Sequence, residues 1–134
     1  MAAHGLDVIF IDHLHLMSWI GRVDGETAKV ASISHAMKAL AKDLDIPVVA
    51  LCQMSRSQDR SGAIPKPSLN RLRQSGALEE DADVVLMPWR ESRNSQFGEV
   101  FIAKQRQGEA GVSLNMRYDC GLTKWSEAPN DGGR

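Results

Sequence analysis

A carboxylate, an amide and a pair of cations stand at the ends of apolar runs in this 134-residue chain. Asp12 closes the run Val8, Ile9, Phe10, Ile11, which is β-branched or aromatic throughout and suits a strand buried on both faces of a parallel sheet. At the carboxyl end of such a strand an aspartate faces the crevice in which open α/β sheets bind ligands, and beside phosphates its usual partner is Mg2+. The other reading is that Asp12 only starts a turn, where aspartate is common for hydrogen-bonding reasons. Gln53 marks the end of a second run, Pro47 to Cys52. His13 and His15 form an H-x-H pair that can put two imidazoles on one face of a strand. A metal site needs three or four convergent ligands, and no Cys or carboxylate set accompanies them at ligand spacing. Lys104 and Arg106, two residues apart, point the same way if extended conformation runs through Arg106. Arginine suits bidentate phosphate recognition and lysine acts as a point charge; the plainer alternative is two solvated charges at a hairpin tip.

The elements that must hold these residues follow from periodicity. A first strand over about Asp7 to Ile11 leads through a loop to a helix from Glu26 to Leu44, where Val30, Ile33, Met37, Leu40 and Leu44 recur at intervals of three and four. Asp24 is its expected N-cap, Lys29, Lys38 and Lys42 its solvent side, and Asp45 with Pro47 its stop. With the second strand this makes a right-handed βαβ unit, so Asp12 and Gln53 emerge on one rim of the sheet. Residues 54–68 carry two Pro, a Gly and no period, which predicts a loop. Arg56, Arg60, Lys66, Arg71 and Arg73 against Asp59 give this region a local excess of four positive charges, either a backbone-phosphate contact or a solvated loop. Leu69 to Gln74 predicts a short helix broken by Gly76, followed by the acidic turn ALEEDAD. Val84 to Met87 predicts a third buried strand closed by Pro88, and Glu99 to Lys104 a fourth. Val112 to Tyr118 alternates as the second arm of an antiparallel hairpin. A last strand is expected over Leu122 to Trp125, and disorder at the very end.

Composition narrows the class. With 43% hydrophobic and 25% charged residues the chain suits one globular domain with a core. A net charge of -1 supplies no global attraction to nucleic acid, so any such partner is held by a local patch. Cys52 and Cys120 are the two cysteines, without framework spacing; Cys52 reads as a small buried hydrophobe in a reducing, cytosolic setting. No apolar run approaches the roughly 18 residues of a membrane span, and no secretory signal is present.

Four stretches then resemble a single family, the DnaB-type replicative DNA helicases with a RecA-like motor domain. DVIFIDHLHLM is similar to its Walker B strand, VVALCQMSR to the strand bearing its polar sensor, NRLRQSGALEEDADVVL to its DNA loop and following strand, and FIAKQRQGEAGVSLNMRYD to its arginine-finger hairpin. They occur in the family's order and span about His4 to Trp125. The resemblance implies an α/β fold: a partial RecA-like (P-loop NTPase) sheet, mostly parallel, with a C-terminal antiparallel hairpin and flanking helices. Residues 1–125 would be the partial motor domain and 126–134 a disordered tail.

Residue by residue, the resemblance makes Asp12 the carboxylate that holds Mg2+ with ATP and Gln53 the sensor at the tip of the adjacent strand. Lys104 and Arg106 become the prong that reaches the γ-phosphate on a neighbouring subunit, which implies a homo-oligomeric, hexameric ring. Arg73, Gln74 and Gly76 resemble a segment that contacts the single-stranded DNA backbone, joined by Arg56 and Arg60 of the basic loop; Gln74 departs from the family's usual Glu. A primase or a loader is a further implied partner, no membrane is, and the setting is bacterial or phage-type replication in the cytoplasm.

The phosphate cradle is missing from the pattern. A P-loop needs G-x-x-x-x-G-K-[ST], yet no glycine here is followed by another five positions on and no Gly-Lys pair occurs. The family's water-activating glutamate lies upstream of its Walker B strand and has no counterpart. The chain resembles the C-terminal half of a motor, expected to be inactive alone, with strand edges open to repacking or self-association. Alternatives are a non-catalytic module that binds single-stranded DNA or an intact helicase, a RecA-like repair ATPase, and a metal enzyme using His13 and His15.

Overall fold

The computed structural model describes residues 5–54, 64–69 and 76–128. The chain divides into two compact units, residues 1–55 with 70–82 and residues 56–69 with 83–134; the expected single domain is thus two-part.

In the first unit, strand β1 (Ile9–Ile11), helix α1 (Gly25–Leu44) and strand β2 (Val48–Ala50) form the expected βαβ arrangement. β1 and β2 pair in parallel with Ile9 opposite Val48 and Ile11 opposite Ala50. The ladder runs on through Ile9 N–H to Pro47 O (3.0 Å) and Leu51 N–H to Ile11 O (2.9 Å). The strands are shorter than expected, and burial on both faces is not what forms. Ile9, Ile11, Val48 and Ala50 are half-buried, whereas the cross-strand pair Phe10 and Val49 is 69% and 44% exposed. Side chains alternate across a strand, and the described elements cover one face only.

The stripe that predicts α1 is real at its centre, where Val30 and Ile33 are buried together with Leu14 from a short 3-10 helix, Leu14–Leu16. Leu40 and Leu44 remain exposed. Asp24 stands at the N-cap, but its side chain makes no capping bond; the entry is a glycine, Gly25, at φ +88, which a side chain would strain. Asp45 ends the helix in the left-handed conformation, its N–H on Ala41 O and Lys42 O, a role that glycine, Asn or Asp fills readily. Lys29 is not on the solvent side. Its Nζ donates to His15 O (3.4 Å) and Glu26 Oε1 (3.2 Å), tying α1 to the 3-10 helix. Burial pushes the Cys52 thiol up, in line with its reading as a small apolar residue.

The acidic turn expected after Gly76 is instead helix α2 (Gly76–Asp81), extended by Ala82 N–H on Leu78 O (3.1 Å). Ala, Leu and Glu are strong helix formers, and one glycine at the first position does not outweigh them. The short helix expected over Leu69 to Gln74 lies, from residue 70, outside the described residues.

The second unit is an antiparallel sheet in the order β3-β4-β5-β6: Val84–Trp89, Phe97–Gln105, Val112–Asp119 and Lys124–Glu127. The hairpin forms as the sequence predicts, with Val112, Met116 and Tyr118 half-buried and Ser113, Asn115 and Arg117 exposed. Leu114 departs from the alternation and is exposed. β3 is not buried on both faces. Met87 is 3% exposed, but Val84 and Leu86 are 51% and 56% exposed. Nor does Pro88 close it: β3 is an edge strand, where a missing N–H breaks no ladder on the free side. Asp119 Oδ1 accepts from the N–H groups of Gly121 and Leu122 (2.8 and 3.0 Å) and makes the last turn. β6 then starts and ends two residues later than expected. The tail expected from residue 126 is structured through Ala128, whose N–H reaches Asn115 O; residues 129–134 lie outside the described residues.

Residues 64–67 clasp this sheet. Trp89 Nε1 donates to Ile64 O (2.9 Å), and Lys66 Nζ lies 2.7 Å from Glu99 Oε1 and 5.2 Å from the Trp89 ring centroid. The Lys66 hydrogen bond, then one from Ser113, holds the Glu99 carboxyl below its ordinary value of 4.5. A depressed folded pKa means the pair stabilises above that ordinary value and the contribution is lost as pH falls through the lower folded value. Glu99→Gln is expected to cost about 0.5–1 kcal/mol at neutral pH, as a partly exposed pair does. In denaturant melts the wild-type advantage should shrink as pH drops below 4.5; an advantage that stays constant in acid would rule the pair out.

Candidate functional site

Two sets of candidate residues occur, one in each unit. In the first, Asp12 follows β1 directly and Gln53 stands three residues beyond β2, both exposed. Parallel pairing puts these two strand exits at the same edge, which is how βαβ topology creates a binding rim. The turn after Asp12 is stapled there: Leu14 is 1% exposed and its N–H donates to Leu51 O (3.0 Å) on the β2 side. The loop between the rim residues and the sheet is thereby held at both exits. Among the described residues neither the Asp12 carboxylate nor the Gln53 carboxamide has a side-chain partner, so both remain available to a ligand at the rim. Mg2+ needs only one or two protein carboxylates when phosphates and water complete its octahedron, and a lone exposed aspartate fits that role.

His13 and His15 lie beside this rim with ring centroids 5.8 Å apart, and the Nδ1 atoms of both are buried without a protein partner. No group of three or more His, Cys, Asp or Glu among the described residues is placed to hold a metal. The reading that makes the two imidazoles a metal centre therefore has no third ligand.

The second set is on the hairpin. β4 carries an irregularity: Val85 pairs with Lys104 and Leu86 with Ile102, so Ala103 is one residue extra, a bulge that re-aims the residues after it. It precedes Lys104, and pairing runs on unbroken past Gln105 as Arg106 N–H donates to Asp83 O (2.9 Å). Lys104 and Arg106 thus keep to one side of the extended chain. Arg106 is partnered: its Nε lies 3.3 Å from Asp83 Oδ1, both side chains half exposed. The sequence reading missed Asp83, whose only signal was its place opposite Arg106 in the strand register.

Of the expected DNA-contacting residues, Arg56, Arg60, Arg73 and Gln74 lie outside the described residues. Gly76 is the exposed first residue of α2. Lys66 does not belong in the free basic excess, because Glu99 neutralises it.

With this geometry established, comparison with known proteins is specific. The sequence profile of the DnaB-like helicase C terminal domain matches residues 1–127. The replicative DNA helicase DnaB of Geobacillus stearothermophilus is 40% identical over 135 residues, covering 86% of this chain and 30% of that protein. DnaB of Buchnera aphidicola subsp. Acyrthosiphon pisum is 39% identical, over 98% of this chain and 29% of its own length. The chain therefore spans under a third of the curated relatives it matches. Among solved structures, a helicase ATPase domain superposes with a TM-score of 0.79 at 31% identity, over 90% of this chain and 44% of that one. A DnaB-like replicative helicase described with its interactions with primase superposes with a TM-score of 0.71 at 34% identity, over 84% of this chain and 28% of that one.

Proposed function

Because this chain belongs to the DnaB-like helicase C-terminal domain family, we propose that it supplies one part of an ATP-driven replicative DNA helicase motor. In this reading Asp12 holds Mg2+ against the nucleotide's phosphates, and Gln53 at the neighbouring strand exit senses the γ-phosphate. Lys104 and Arg106 serve the site of an adjacent subunit in a hexameric ring, where a cation supplied in trans stabilises charge developing on the transferred phosphoryl. Arg56, Arg60, Arg73, Gln74 and Gly76 contact the backbone of single-stranded DNA, in a cytoplasmic replication setting with a primase or loader as further partner. The observation that carries the reading is the shared rim: an unpartnered aspartate and an unpartnered glutamine, among the described residues, at the exits of two paired parallel strands in a RecA-like fold.

The bulge and Asp83 explain how the hairpin serves this role. Asp83 engages Nε on one side of the guanidinium, a grip that limits its wandering while leaving Nη donors for an anion. A surface pair of this kind contributes little to stability, so its value is positional.

The chain by itself is proposed to be inactive. No backbone cradle for the triphosphate and no glutamate to activate water occur in its sequence, and Asp12 alone cannot replace either. Purified chain is expected to release no phosphate from ATP above background, with or without single-stranded DNA. A rate that Asp12→Ala abolishes would overturn this. Activity is expected when the chain replaces the matching segment of the Geobacillus stearothermophilus helicase; a hybrid that assembles but does not hydrolyse ATP would count against the assignment.

A further inference from the structure

Helix α2 is six residues long, too short to persist without tertiary support. It directly follows the stretch that carries Arg73 and Gln74. Its support from α1 is a polar grip. Ser34, 3% exposed, donates from Oγ to Asp81 Oδ2 at 2.7 Å and also approaches Ala77 O at 3.4 Å. His35 Nδ1 stands 2.7 Å from the same Asp81 oxygen. The Asp81 side chain is 20% exposed, so two donors from successive residues of one helix converge on one largely buried carboxylate. Packing alone could hold two helices together with apolar residues at lower desolvation cost. A shared carboxylate oxygen does something packing does not, since hydrogen bonds are directional and fix the register of α2 along α1.

The same helix α1 reaches the nucleotide rim. Lys29, five residues before Ser34, donates to His15 O in the 3-10 helix that follows Asp12. One rigid element is therefore bonded to the turn after Asp12 and to the helix after the DNA segment.

We propose that Asp81 is a positioning residue for nucleic acid: held by Ser34 and His35, it fixes α2 on α1 and so sets where Arg73, Gln74 and Gly76 meet a single-stranded DNA backbone. The inference rests on the DNA-contact reading above and goes beyond it, because Asp81 touches no nucleic acid itself.

The test compares the wild-type chain with Asp81→Ala, Asp81→Asn, Ser34→Ala and the packing control Ile33→Val. Affinity for a fluorescein-labelled oligothymidylate is measured by anisotropy across salt concentrations, and hydrogen exchange reports the α2 amides. Wild type is expected to bind with a negative log–log salt slope. Asp81→Ala and Ser34→Ala should weaken binding about tenfold, the loss of a charge-assisted hydrogen bond, and speed α2 exchange. Asp81→Asn, which keeps an acceptor for both donors, should recover most of the affinity. Ile33→Val, which lowers the melting temperature without touching the grip, should leave affinity within about twofold, since removing one methylene from the core costs stability alone. Equal losses for Ile33→Val and Asp81→Ala at matched melting temperature, or unchanged α2 exchange in Asp81→Ala, would overturn the inference while leaving DNA binding intact. No binding by wild type at low salt would instead overturn the DNA reading and the inference with it.

Discussion

Gly98→Ala is expected to cost the antiparallel unit about 3 kcal/mol, enough to unfold a marginal domain at ambient temperature. A Cβ on Gly98 would stand 2.6 Å from Trp89 O, 2.7 Å from Trp125 Cζ3 and 2.8 Å from Arg90 Cγ. Each of these neighbours is held. Trp89 O belongs to β3, paired to β4 through Glu99 itself. Trp125 stacks edge-on against Tyr118 with centroids 5.2 Å apart. Arg90 lies 3.6 Å over the Tyr118 ring centroid and donates to Arg93 O and Ser95 O. The clash can be relieved only by moving backbone or by breaking the aromatic cluster. Denaturant melts followed by tryptophan fluorescence should show the loss; a midpoint shift worth under about 1 kcal/mol would mean that β3 does not approach β4 as described.

The second large effect is catalytic. In the hybrid with the Geobacillus stearothermophilus helicase, Arg106→Ala and Asp12→Ala are each expected to lower kcat for ATP hydrolysis by about 10³-fold or more, the range in which an arginine finger acts. KM should rise less for Arg106→Ala, because a finger acts on charge present mainly in the transition state, whereas Asp12→Ala removes a metal contact made in the ground state as well. Asp83→Ala should give a smaller kcat loss of the same kind, since Asp83 restrains the guanidinium rather than touching phosphate. A variant lacking Arg106 that hydrolyses ATP at the parental rate would remove the finger assignment.

What the sequence made legible divides along physical lines. The runs ending at Asp12 and Gln53 disclosed a βαβ unit and its rim, because a buried strand and an amphipathic crossover helix each leave a periodic signal. The hairpin was equally readable from alternation at Val112 to Tyr118. Burial was overestimated wherever an apolar residue was taken as evidence of cover on both sides. Phe10, Val49, Val84 and Leu86 are as apolar as strand residues buried under two layers, yet lie on uncovered faces, and composition carries no record of what lies opposite. Helix α2 was misread as a turn because Gly76 dominated a short window whose other residues favour helix. The partners Asp81 and Asp83 were invisible, since their roles depend on Ser34 and on Arg106, 47 and 23 positions away. Only tertiary structure brings such groups together, and both were submerged in an acidic stretch that reads as solvated charge.

The central claim is that one chain contributes two half-sites, a metal-holding rim around Asp12 and a cationic prong at Lys104 and Arg106 that serves a neighbour. Mixing tests it most directly. Asp12→Ala hybrid subunits and Arg106→Ala hybrid subunits, each inactive alone, are combined in equal amounts and ATP hydrolysis is measured after mixed rings are verified by native mass spectrometry. If the prong acts in trans, roughly a quarter of interfaces join an intact rim to an intact prong, and hydrolysis should reappear in that proportion. Mixed rings that form and remain as inactive as either parent would contradict the account.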